Sequence, residues 1–246
     1  MQVNKKILVH LALLTVALSY ATNYSLAKWA MPEYISPYGF ILLRVGCGAL
    51  FFGLYYFLFK REKIISKRDY IDLAICAFFG ISLNMLAFFK GLSMTSVINA
   101  SVLMLLAPVL VVIYSAIGYK KKIKPQIYLG VILAFCGAAL LVNVGGFSIS
   151  SSGALGDLLI VLNAASFAFY LYYVARLLKK YSALTVTAFI FMIGLLFVLP
   201  VGYRDFVAVE WSSLPAKVIF ALAFVVVCVT ILAYLLNTWA VQNSSS

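Results

Sequence analysis

The stretch Val97–Tyr119, VINASVLMLLAPVLVVIYSAIGY, carries no charged residue, and the chain turns abruptly basic after it with Lys120-Lys121-Lys122-Ile123-Lys124. A helix needs ~20 apolar residues to cross the hydrocarbon core of a bilayer. This run is long enough, and the lysines behind it form an anchor on one side. The same pattern recurs along the chain. Eight apolar runs are read, at Ile7–Lys28, Pro37–Phe59, Tyr70–Leu92, Val97–Tyr119, Ile127–Val144, Gly156–Arg176, Thr185–Gly202 and Lys217–Val241. The fold class is therefore all-α, a polytopic membrane helix bundle.

Composition agrees. Of the 246 residues, 65% are hydrophobic and 11% charged, against ~25% charged in an average soluble domain. The net charge of +12 does not point to nucleic acid, because the basic residues sit in short loops between apolar runs. Fourteen of the nineteen Lys and Arg residues fall on one side: Lys5 and Lys6; Lys60, Arg61, Lys63, Lys67 and Arg68; Lys120, Lys121, Lys122 and Lys124; Arg176, Lys179 and Lys180. The positive-inside rule makes that side, and the N-terminus, cytoplasmic. The expected location is the cytoplasmic membrane, with lipid as the surrounding partner. The first run is too long for a signal-peptide core and lacks a small-x-small cleavage site, so it is read as a retained helix.

Catalytic and metal chemistry find no support. Cys47, Cys76, Cys136 and Cys228 are scattered through apolar runs with no CxxC pair, and a lone His10 cannot build a metal site. No phosphate-binding loop or nucleophile–base pair is visible. The expectation is a non-enzyme with no cofactor and no metal.

Shifting the sequence by 147 residues lays helices one to three on helices six to eight: Ser19 meets Ser166, Tyr70 meets Lys217, and Phe88-Phe89-Lys90 meets Leu235-Leu236-Asn237. A unit of five helices is odd, so a second copy would enter from the opposite face. Inverted repeats of this kind are a transporter architecture with a site near the midplane. The halves are read as 1–147, a first five-helix repeat, and 148–246, an incomplete second repeat of three helices. On this register the second repeat breaks off after eight helices, which reads as a truncation. A genuine eight-helix chain is the alternative.

The residues that carry a family resemblance are Gly91–Ser101 (GLSMTSVINAS), Leu106-Ala107-Pro108-Val109, Leu43-Arg44 and Gly130–Gly137 (GVILAFCG). Together they resemble the EamA family of the drug/metabolite transporter superfamily. The resemblance implies ten helices in two inverted five-helix repeats and movement of amino acids or related metabolites, often outward. The loop between helices four and five departs from the family habit, having lysines and no glutamate.

Polar groups are costly in lipid and face the bundle or a wet path. The substrate-binding candidates are Ser19 and Asn23 on helix one, Arg44 on helix two, Asn84 and Lys90 on helix three, Asn99 on helix four, Asn163, Ser166 and Tyr170 on helix six, and Tyr234 and Asn237 on helix eight. Thr15, Tyr173 and Thr230 lie on the same stripes. Such residues equally serve as interhelical hydrogen bonds. Arg44, with Lys90, is the candidate attractor of a substrate carboxylate; the alternatives are pairing with Glu33 or capping of carbonyls for Arg44, and snorkelling to the headgroups for Lys90. Pro108 is the candidate gating position, as the proline expected to kink helix four. Gly130, Ala134 and Ala138, and Gly46 and Gly48, are expected packing faces. No Asp or Glu lies deep in a span, so the expectation is a facilitator, or coupling through a group in the part read as missing.

The expected function is a carrier for a small organic metabolite working by alternating access. The competing reading is a non-transporting membrane receptor or assembly subunit. The expected partners are a small-molecule substrate and the bilayer, with no nucleic acid. A homodimer stays open.

Overall fold

The computed structural model describes residues 5–60, 62–119, 126, 129–130, 132–133 and 151–244. Seven of its helices are long and apolar enough to cross a membrane. They correspond to the expected runs except Ile127–Val144, which lies outside the described residues but for a few isolated positions. Of its expected packing face, Gly130 is exposed, and a Cβ added there would meet nothing within 4 Å. Ala134 and Ala138 lie outside the described residues.

The helices are α1 (Lys5–Ala30), α2 (Pro37–Tyr55, followed by a π turn, Tyr56–Lys60) and α3 (Lys67–Ala77, widening to π over Phe78–Ser82 and resuming as Leu83–Met94). Then come α4 (Val97–Leu103), α5 (Leu106–Tyr119), α6 (Ser151–Val174) and α7 (Ala183–Val207). Last is α8 (Ala216–Phe224, π over Val225–Leu232, then Ala233–Ser244). Two boundaries differ most from expectation. α7 continues past Gly202 to Val207, and α6 starts at Ser151 rather than Gly156.

The chain folds as two compact units that cut across the sequence halves. One comprises Met1–Lys63 with Tyr181–Ser246, the other Ile64–Lys180. In the first unit α2 lies along α7, and α8 packs on α1 and α2. The approach of α2 to α7 is set by small residues, which let helix backbones close in where lipid supplies no hydrophobic drive. A Cβ at Gly202 would lie 2.6 Å from the Tyr38 carbonyl oxygen, and one at Gly48 would lie 2.5 Å from the Phe191 ring. Gly46, the other expected packing glycine, is looser, with Leu195 Cδ1 at 4.0 Å.

Both ends of this pair are fastened by serine caps. A helix N-terminus leaves unpaired N–H groups that a serine oxygen can accept, and it favours nearby negative charge. Ser36 caps α2, accepting from the Gly39 N–H at 3.2 Å, and donates its own hydroxyl to Asp205 in the last turn of α7. Ser182 caps α7, accepting from the Thr185 N–H at 3.3 Å. Glu62, just past α2, accepts from both the Ser182 N–H (3.1 Å) and hydroxyl (2.9 Å). Each helix thus begins on a carboxylate supplied from the other's end. Asp205→Ala is expected to lower stability by about 1–2 kcal/mol, as loss of a charge-assisted cap does. Thermal unfolding in detergent would show it as a lower Tm, with Asp205→Asn falling between.

In the second unit α3 runs antiparallel to α6, and α5 packs on α6. Near one end Asp157 accepts from the Thr95 hydroxyl and, at 3.5 Å, from the Asn99 amide. Near the other the Tyr173 hydroxyl donates to Asp72 at 2.8 Å, Lys180 pairs with Asp69 at 2.8 Å, and the Arg176 guanidinium sits over the Tyr173 ring. Lys180 is about half exposed, so its pair adds little.

The fourth span is broken rather than merely bent. α4 ends at Leu103 and α5 starts at Leu106. Proline has no N–H to give the carbonyl four residues back and its ring crowds that carbonyl. For Pro108 that carbonyl belongs to Met104, which accepts instead from the Ala107 N–H at 3.0 Å, while Leu105 N–H tightens onto Val102 at 3.0 Å. The expected kink therefore sits one turn before the proline. Pro108→Ala is expected to close this break and slow amide exchange at residues 104–107 about five-fold, the worth of one added hydrogen bond of about 1 kcal/mol. Hydrogen-exchange mass spectrometry checks it. α7 carries Pro200 without interruption.

Candidate functional site

The polar side chains expected to line a path divide between the two units. Asn84, Lys90, Asn99, Asn163, Ser166 and Tyr170 belong to the second. Here α3 and α6 are tied side chain to backbone in both directions. The Asn84 amide donates to the Asn163 carbonyl at 3.4 Å, and the Asn163 amide to the Asn84 carbonyl at 2.8 Å. Ser166 donates to the Phe79 carbonyl at 2.6 Å, inside the π turn of α3. Gly80 in the same turn lies under the Tyr170 ring, where a Cβ would come within 2.5 Å of Cδ2. These contacts give Asn84, Asn99 and Ser166 work as ties between helices, ~0.6 kcal/mol each by membrane precedent. Asn163 is 2% exposed, and its Oδ1 makes no hydrogen bond among the described residues. Lys90 is half-buried, its carbonyl accepting from Ser93 at 2.7 Å, and it falls in a different unit from Arg44.

Ser19, Asn23, Arg44, Tyr234 and Asn237 belong to the first unit. Arg44, two turns into α2 on its buried face, is only 6% exposed. Its Nε donates to Thr230 Oγ1 of α8 at 2.8 Å, rather than reaching Glu33. Thr230 is fully buried, and its hydroxyl in turn donates to the Val225 carbonyl at 3.1 Å, five residues back along the π stretch of α8. One turn beyond Arg44, Gly48 gives Thr230 its room: a Cβ there would lie 3.1 Å from Thr230 Cγ2. The hydroxyls of Tyr20 and Tyr234 lie within electrostatic reach of the guanidinium. Tyr20 also meets the Asn237 side chain. Tyr234 is held edge-on against Phe191, ring centres 5.1 Å apart.

On α1, Asn23 lies one turn from Tyr20 and is 4% exposed; its Oδ1 makes no hydrogen bond among the described residues. Ser19 is buried but bonds its own helix, donating to the Thr15 carbonyl at 2.8 Å. The first unit therefore gathers a cation, Arg44, two phenols, Tyr20 and Tyr234, the Thr230 hydroxyl and the Asn237 amide from α1, α2 and α8. Such a group can take an anionic oxygen through Arg44 and offer acceptor oxygens to a donor. Tyr20 and Thr230 complete it; Tyr20 was legible as the neighbour of Ser19, and Thr230 by its spacing from Tyr234, but nothing in the sequence joins either to Arg44. Among the described residues no group of His, Cys, Asp and Glu could hold a metal ion.

A polytopic helical membrane protein with a buried polar cluster of this kind fits the solute-carrier class, and comparison with known proteins specifies which. The model of the EamA-like transporter family matches residues 7–143 and 154–246, and the chain belongs to that family. An uncharacterized transporter of Archaeoglobus fulgidus is 26% identical over 96% of this chain and 81% of the relative. The uncharacterized transporter YyaM of Bacillus subtilis is 28% identical over 94% of this chain and 76% of its own length. A solved crystal structure of a protein superposes with a TM-score of 0.60 at 19% identity, covering 93% of this chain and 80% of that one, which speaks for the fold alone. The chain is thus a multi-pass membrane protein of a transporter family.

Proposed function

We propose that this chain is a carrier that moves a small organic metabolite, an amino acid or a related compound, outward across the cytoplasmic membrane by alternating access, with its N-terminus in the cytoplasm. The observation that carries the reading is Arg44. A guanidinium almost wholly withdrawn from solvent, on a helix that crosses the membrane, is costly and is kept for a function or a firm structural tie. Its fork geometry suits a carboxylate. Asn23, buried one turn from Tyr20 with an acceptor oxygen to offer, suits the ammonium of the same ligand.

The mirrored caps of α2 and α7, and the two stretches matched by the family model, support two copies of one unit set in opposite directions. The basic loops support the cytoplasmic N-terminus. Outward movement rests on the family resemblance.

The test is flux. The full-length protein in proteoliposomes is offered radiolabelled L-amino acids singly, covering acidic, neutral, basic and aromatic side chains. Counterflow of at least one is expected. No movement of any of them, with folded protein in the vesicles, would defeat this reading and favour a receptor or assembly subunit.

A further inference from the structure

We infer that Thr230 is a positioning residue for Arg44, and that the π stretch of α8 exists at this point to make it one. The inference rests on the reading of Arg44 as the substrate's carboxylate contact. A long arginine side chain has many rotamers, and holding it for a ligand costs entropy unless a neighbour fixes it. The Nε–H is the donor nearest the stem, so a partner on Nε orients the plane of the whole fork. Thr230 is that partner at 2.8 Å.

A threonine hydroxyl can rotate, and a rotating acceptor fixes nothing. Here rotation is stopped. The Thr230 proton goes to the Val225 carbonyl at 3.1 Å, which leaves the oxygen lone pairs turned to Arg44. Val225 is five residues back, the spacing of a π turn and not of an α turn. Gly48 leaves room for the side chain in this position, since a Cβ there would lie 3.1 Å from Thr230 Cγ2. Three features of no evident relation, a π-helical stretch, a glycine and a buried threonine, thus converge on the orientation of one guanidinium.

Kinetics of the best-carried amino acid of the panel above test this. Thr230→Val, which keeps the shape and removes the hydroxyl, is expected to raise KM about tenfold, as loss of a hydrogen bond to a charged group does, with Vmax within about twofold. Thr230→Ser is expected to restore KM. In an Arg44→Gln background, Thr230→Val is expected to leave KM where Arg44→Gln alone puts it. Should Thr230→Val not reach the membrane, Thr230→Ala removes the same hydroxyl without filling the space and is read in its place. An unchanged KM in Thr230→Val, failure of serine to restore it, or an undiminished threonine effect without Arg44 would each overturn the positioning role. If Arg44→Gln itself leaves KM unchanged, the carboxylate reading falls instead. If Arg44→Gln raises KM and Thr230→Val does not, only the present inference falls.

Discussion

Gly202→Ala is expected to lower the stability of the protein, and Gly46→Ala, on the helix that Gly202 faces, to raise it. In an exposed or roomy helix position alanine gains about 0.8–1 kcal/mol over glycine. At Gly46 that gain stands, since the nearest atom is a flexible Leu195 methyl at 4.0 Å. At Gly202 the added carbon would meet the Tyr38 carbonyl oxygen at 2.6 Å and Leu42 Cβ at 2.9 Å. The first is backbone and the second is fixed to it, so neither can swing aside. α2 and α7 must separate, and overpacking of this kind costs about 1–3 kcal/mol. The strain is felt along the whole seam, because both ends of the pair are tied by Ser36–Asp205 and Ser182–Glu62. Unfolding in detergent, followed by tryptophan fluorescence, should give Tm shifts of opposite sign. A Gly202→Ala protein as stable as the parent would mean that the close approach of α2 to α7 is wrong.

Arg44→Gln is expected to do the reverse: to spare the fold and weaken the activity. A buried charge contributes little to stability once its desolvation is counted, and a neutral residue of similar length often fits as well. Thr230 keeps its bond to the Val225 carbonyl without arginine, so its own hydroxyl is not orphaned. Recognition is another matter. A charged hydrogen bond to a carboxylate is worth about 1.5–3 kcal/mol, so amino-acid counterflow should fall at least about tenfold. Arg44→Lys keeps the charge but not the fork and should recover only part of the flux. The measurement is uptake normalised to folded protein, with Tm alongside. Full uptake by Arg44→Gln would remove Arg44 from the substrate path.

The two predictions mark where the sequence speaks and where it stops. Helices were legible because hydrophobicity over some twenty residues is a local property. Ser36 before Pro37, and Ser182 before α7, are ordinary start signals. The partner of each cap was not legible: Asp205 reads as a loop-edge acid until α7 is seen to extend past Gly202 and lie beside α2. The same holds for the polar residues. Asn84 and Asn163 stand out as costly in lipid, yet only the packing of α3 on α6 shows that each bonds the other's backbone. Pro108 announced a break, and the missing N–H places it at Met104–Leu105. The π turns of α3 and α8 announced nothing, since FFGIS and VVVCVTIL carry no motif for a wide turn. Thr230 depends on one of them, and so its role could not be read from spacing.

The membership of the two compact units has a consequence for biosynthesis. Residues 64–180 are consecutive, so α3, α4, α5 and α6 can settle against one another as they leave the ribosome. α1 and α2 emerge earlier still but cannot complete their unit until α7 and α8 follow, well over a hundred residues later. During that interval the glycine face of α2 lacks α7, the helix that packs on it in the folded unit. The first-made helices are therefore the last to be finished, and a chain released before α7 would carry an open α2 groove and a Ser36 with no acid to hold.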